Sequence, residues 1–112
     1  MKQRTLELMW SELNKTFFGG SLNEIPIRLT RSKQLYGYFT HTTNSGKPVI
    51  RISGYLNKTE EEFRDTLLHE MIHQAIHQYG LRDDEDHGAI FHQIAERIGV
   101  KRDYHGKYDF ED

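Results

Sequence analysis

The stretch from Thr59 to Gly80 constrains the fold of this chain more than any other. Thr59, with Glu62 three residues on, forms a capping-box start, and Glu60, Glu61 and Glu62 complement the positive end of a helix dipole. Phe63, Leu67, Leu68, Met71, Ile72, Ala75, Ile76 and Tyr79 then cover much of a helical circumference, and Gly80 supplies the stop. A helix apolar on so many sides has to be surrounded, so it is expected at the centre of the fold, largely buried.

The other elements have the sizes needed to surround it. Leu6, Met9, Trp10, Leu13 and Phe17 recur at three- and four-residue spacing and predict a packing helix over 5–18, ended by Gly19-Gly20. Three short strands are expected over 25–30, 35–40 and 49–53. The turn residues Asn44-Ser45-Gly46 make the last two a hairpin. After an acidic loop over 81–86, a third helix is expected from about His87 to Ile98, with Ile90, Phe91, Ile94, Ala95 and Ile98 as its core stripe and Gly99 after its end. The aromatic and charged stretch 100–112 is left open between a docked strand and a disordered tail. The fold class is therefore α+β: an N-terminal helix, a small three-stranded sheet and two further helices. With no repeat or linker, residues 1–112 are expected to form a single domain.

The buried helix carries His69-Glu70-Met71-Ile72-His73, an HExxH motif. Histidines at i and i+4 lie about 40° apart around a helix and one turn apart along it, so both imidazoles can reach one metal ion. Glu70 projects beside that position and can take a proton from a water there. Unpaired His and Glu would be costly in a buried helix, which favours a site over coincidence.

A catalytic metal site of this kind takes three protein ligands and keeps one position open. The candidates for the third are His77, His87, His92, Asp83, Asp84, Glu85, Asp86 and Glu96. His77 lies eight residues beyond His69, about 12 Å along the axis, and reads instead as a surface histidine near the negative end of the dipole. On a helix begun at His87, that residue falls within about 40° of Phe91, Ile94 and Ile98, whereas His92 lies about 140° away on the solvent side. His87 is therefore the expected third ligand, with a plain helix-start histidine as the alternative.

Composition narrows the function classes. The net charge of −2, from 15 basic and 17 acidic residues, argues against a chain-wide nucleic-acid surface and leaves a local basic patch open. The clusters Arg28, Arg31, Lys33 and Lys101, Arg102 read as ordinary solvated surface. The chain has no cysteine, hence no disulfide, thiol nucleophile or cysteine-ligated zinc ribbon. Glu7, Ser11, Glu12, Asn14 and Lys15 interrupt the N-terminal stretch, so it is neither a signal peptide nor a membrane span. A cytoplasmic protein with no membrane partner is expected.

The sequence resembles the SprT-like (Spartan-type) zinc metalloproteases. The resemblance rests on Thr66-Leu67-Leu68-His69-Glu70-Met71-Ile72-His73 followed by His87-Gly88-Ala89-Ile90-Phe91, which look like the family's TLLHEMIH and HGxxF blocks. Weaker matches are Phe17-Phe18-Gly19-Gly20 with Leu22, Tyr36-Gly37-Tyr38, Ile50-Arg51-Ile52-Ser53 and Tyr104-His105, so it spans roughly residues 6 to 105. Gln74 stands where alanine often follows the motif. The resemblance implies a minimal zincin-like fold, Zn2+ held by His69, His73 and His87, and Glu70 as catalytic base. It also implies a protein or peptide substrate and association with DNA. Ligand type and resemblance together favour zinc over manganese, cobalt or nickel.

The expected reaction is metal-assisted peptide-bond hydrolysis, with Tyr36, Tyr38, Tyr104 and His105 as candidates for stabilising the oxyanion. The strand over 36–40 could pair with an extended substrate. The rival readings are a non-catalytic metal-binding or nucleic-acid-associated adaptor domain, which would have no use for Glu70, and a helical interaction domain with incidental histidines.

Overall fold

The structure is a computed structural model that describes residues 1–44, 46–81 and 88–100. Its elements run α1 (Gln3–Phe18), β1 (Ile27–Thr30), β2 (Gly37–Thr40), β3 (Val49–Ser53), α2 (Glu60–Gln78) and α3 (Ala89–Ile98), the expected α+β arrangement. Among the described residues no helix is long and apolar enough to cross a membrane.

Helix α2 sits at the centre. Its buried residues include Phe63, Thr66, Leu67, Leu68, His69, Glu70, Met71, Ile72, Gln74 and Ala75, and it packs against α1, α3, β2 and β3. Each buried Leu, Ile, Met or Phe contributes about 1.5–3 kcal/mol relative to exposure. The Thr59 hydroxyl accepts from the Glu62 N–H at 3.1 Å, and the Glu62 carboxylate accepts in turn from the Lys58 N–H at 2.5 Å. At the other end the Gly80 N–H donates to the His77 carbonyl and the Leu81 N–H to that of Ile76, with Gly80 at φ +69°. Tyr79, expected among the apolar positions, lies past the last helical residue and is half exposed; its hydroxyl meets the Ser21 hydroxyl.

The sheet order is β1-β3-β2, with β1 parallel and β2 antiparallel to β3. The expected β2–β3 hairpin is present. Register aligns Ile27, Ile50 and Phe39 in one row and Leu29, Ile52 and Gly37 in another. Ile50 and Ile52 are fully buried against the helices. Between those rows, Arg28, Arg51 and Tyr38 stand on the opposite face, with the Arg51 guanidinium 5.4 Å from the Tyr38 ring centre.

Helix α1 begins at Gln3, two residues before its expected start, and three other elements begin two residues late. Strand β1 begins at Ile27, after Pro26, which has no N–H to give to a ladder. Strand β2 begins at Gly37 because the Ser32 hydroxyl accepts the N–H groups of Gln34 and Leu35 and folds that segment into a turn. Helix α3 begins at Ala89, with Gly88 as its cap, so His87 precedes the helix.

Candidate metal centre

The α2 backbone sets the spacing of His69, Glu70 and His73, and the surrounding core fixes their orientation. The rings of His69 and His73 meet edge to face, with centres 5.3 Å apart. His69 is 4% exposed and Glu70 1%, while His73 is half-buried and opens toward solvent. A carboxylate as deep as that of Glu70 costs several kcal/mol unless positive charge or hydrogen bonds compensate it.

Phe91, brought in by α3 and 1% exposed, packs on both histidines. Its ring centre is 4.9 Å from that of His69 and 4.7 Å from that of His73. The residue thus belongs to the core, as its spacing predicts, and also walls one side of the histidine pair. That second role was not read from the sequence, although the spacing His87-Gly88-x-x-Phe91 carried the signal.

The other candidates divide. His77 is exposed and stacks on His41, with ring centres 5.1 Å apart and planes at 27°, beside Phe39. It is a surface histidine, in agreement with its distance along the helix. His92 is half-buried, 6.2 Å ring to ring from Phe91, rather than wholly on the solvent side. Glu96 is exposed. His87 and the carboxylates of Asp83, Asp84, Glu85 and Asp86 lie outside the described residues, as do Tyr104 and His105. Among the described residues no group of three or more His, Cys, Asp or Glu side chains gathers to hold a metal. What α2 supplies is a pair of imidazoles with a buried carboxylate between them in sequence. Imidazole nitrogens are donors of the type zinc takes, so the two histidines present fit that ion.

Of the tyrosines named for oxyanion stabilisation, Tyr38 is on the sheet face turned away from α2, whereas its neighbour Phe39 packs toward His77. Tyr36 is half-buried just before β2, where its carbonyl accepts from the Ser53 N–H at 2.8 Å and from the Asn57 amide at 3.1 Å.

Two buried polar groups support the helix. Gln74, 2% exposed, accepts from the Trp10 indole N–H at 3.2 Å and donates to the Asn23 carbonyl at 2.8 Å. It ties α2 to α1 and to the segment that follows it. Thr66, fully buried one turn before Glu70, donates to the Asn57 amide oxygen at 2.7 Å. Asn57 in turn donates to the Ser53 carbonyl at 2.7 Å. The motif is thus held between two hydrogen-bonded anchors, one on each side along the helix.

Comparison with known proteins agrees with this architecture. The model of the SprT-like family matches residues 6–108. A protein of Xenopus tropicalis named DNA-dependent metalloprotease SPRTN is 31% identical over 100 residues. That alignment covers 86% of this chain and 23% of the relative, so the chain spans about a quarter of its length. With the helical motif, the three-stranded sheet and a family match over nearly its whole length, the chain belongs to the SprT-like family.

Proposed function

We propose that the chain is a single SprT-like domain that hydrolyses peptide bonds as a zinc-dependent endopeptidase. His69, His73 and His87 would hold the metal and Glu70 would act as general base. The observation that carries this reading is the histidine pair, 5.3 Å ring to ring on a buried helix, with the buried Glu70 between them in sequence.

Zinc, when bound, lowers the pKa of a coordinated water and polarises the scissile carbonyl. Glu70 accepts the proton of the attacking water on a carboxylate oxygen and returns it to the leaving nitrogen. Phe91 limits rotation of both imidazoles, which keeps their nitrogens directed before any ligand arrives. Strand β2 is an edge strand whose Phe39 side chain meets His77 one turn beyond His73. An extended substrate backbone can pair along it and lie near the histidines.

The relative's description as DNA-dependent supports protein substrates associated with DNA. The absence of cysteine from the sequence supports the cytoplasm as the compartment. The adaptor reading gains nothing from the buried Glu70, which metal binding by histidines alone would not require.

The test is cleavage of a denatured protein substrate by zinc-loaded protein, wild type beside Glu70→Gln. The reading predicts cleavage by the wild type and a fall of at least about a hundredfold in the variant at unchanged zinc content. Equal cleavage by the two proteins would remove Glu70 from the mechanism. A zinc-loaded wild type inert on every protein substrate, with and without DNA, would favour the adaptor.

A further inference from the structure

Strand β2 is the edge of the sheet, and its last residue, Thr40, hands the chain on to His41. Helix α2 packs on β2 and ends at Gln78, with His77 in its last turn. The fold therefore brings together two histidines that are far apart in sequence. Their ring centres are 5.1 Å apart with planes at 27°, a spacing as short as the 5.3 Å between His69 and His73. The Phe39 ring, packed on the core, lies 5.8 Å from that of His77 and supports it.

Both imidazoles are exposed, and the proposed hydrolysis uses neither. A neutral imidazole offers a metal one lone-pair nitrogen. His41 Nδ1 lies 3.0 Å from the Thr42 hydroxyl, a hydrogen bond that leaves Nε2 for an ion. Two imidazoles on one tetrahedral zinc, at Zn–N distances of about 2.1 Å, have ring centres roughly 5 Å apart. The backbone thus already holds the pair at a ligand spacing. The rings stack rather than converge, and because both are at the surface, rapid side-chain rotation can bring a nitrogen of each to one point. His77 also stands at the negative end of the α2 dipole, which favours a cation there.

We propose that His41 and His77 form a second, peripheral site for a divalent transition metal ion of the kind that imidazole binds, such as zinc. Two side chains are fewer than the three or four of a catalytic or structural zinc site, so water completes the shell and the ion exchanges readily. The site fills only when metal exceeds the demand of a tighter one. The bound ion cross-links the end of edge strand β2 to the last turn of α2, about 6 Å along the helix axis beyond His73. Binding stands on His41 and His77 alone; any consequence for a substrate paired along β2 rests on the proposed peptidase activity.

The experiment is calorimetric titration of zinc into the metal-stripped full chain, wild type beside His41→Ala, His77→Ala and His69→Ala. The wild type is expected to show a weaker class of zinc binding, and His41→Ala and His77→Ala each to lower its affinity at least about tenfold. His69→Ala is expected to keep that class, so failure of the motif site and failure of this one are read separately. Circular dichroism of each variant shows whether the fold is kept, as replacement of the exposed His41 and His77 predicts. Absence of a weaker class in the wild type would overturn the proposal. So would an unchanged weaker class in folded His41→Ala, even if His77→Ala abolished it, because the ion would then sit on His73 and His77, at i and i+4 of α2. Displacement of the weakly held zinc by an equal concentration of magnesium, which prefers oxygen ligands, would overturn it as well and reduce the site to unspecific charge.

Discussion

Gly37 of β2 lies against Thr66 of α2 so closely that a Cβ on the glycine would fall 2.8 Å from the threonine Cγ2 and 3.1 Å from the Arg51 carbonyl oxygen. The sheet edge and the motif helix therefore meet where only a bare backbone fits. Thr66 is one turn before Glu70, so this contact helps set the position of β2 relative to the motif.

Gly37→Ala should lower stability by about 1–3 kcal/mol, because neither a strand carbonyl nor a buried methyl can move away cheaply. Adding Thr66→Ser removes that methyl and keeps the hydroxyl bonded to Asn57. It should restore part of the loss, leaving the share due to the Arg51 carbonyl and to Ile52, whose Cδ1 would also lie 3.1 Å from the new Cβ. Urea denaturation of the two single variants and the double variant checks the coupling, and purely additive losses would show that the methyl is not the obstacle.

Gln74→Ala should cost about 2–4 kcal/mol. It empties a buried volume and strands the Trp10 indole N–H and the Asn23 carbonyl, each of which has Gln74 as a partner. Thermal unfolding followed by Trp10 fluorescence measures the loss. A change of less than about 0.5 kcal/mol would mean that water replaces the amide without penalty.

Thr59→Ala removes the hydroxyl that accepts the Glu62 N–H and should cost about 1 kcal/mol without altering the motif. Denaturant melts check the size of the effect. A loss above about 3 kcal/mol would imply a role beyond the cap.

The local parts of this fold were legible in the sequence, and the long-range parts were not. The capping box at Thr59 and the apolar coverage of 63–76 placed α2 and its central position, since both signals lie within a few residues. Asn44 to Gly46 likewise announced the β2–β3 hairpin. The parallel pairing of β1 with β3 left no such mark, because β1 and β3 are joined through β2 rather than by a turn of their own. Gln74 looked like a departure from the family's alanine. Its partners Trp10 and Asn23 are 64 and 51 residues away in sequence, out of reach of any periodicity. The site divides in the same way. Helical spacing brought His69 and His73 together, and their packing on Phe91 emerged only with α3 in place. His87 lies outside the described residues, so its place in the site rests on sequence and on the family's motif.

Phe91→Ala should test how far that packing matters. It should destabilise the domain by about 3–5 kcal/mol and also weaken metal binding, because both imidazoles lose a wall. Phe91→Leu retains most of the volume and should recover stability more fully than zinc affinity. Competition with a chromogenic chelator separates the two effects, and equal recovery of both would reduce Phe91 to core filling.

The most direct test of the account is the zinc content of the purified, zinc-reconstituted protein by elemental analysis, wild type beside His69→Ala and His87→Ala. The account predicts about one zinc per wild-type chain and its loss in both variants, as a site of three histidines requires. No zinc in the wild type after reconstitution would contradict it, and full zinc in His87→Ala would contradict the assignment of the third ligand.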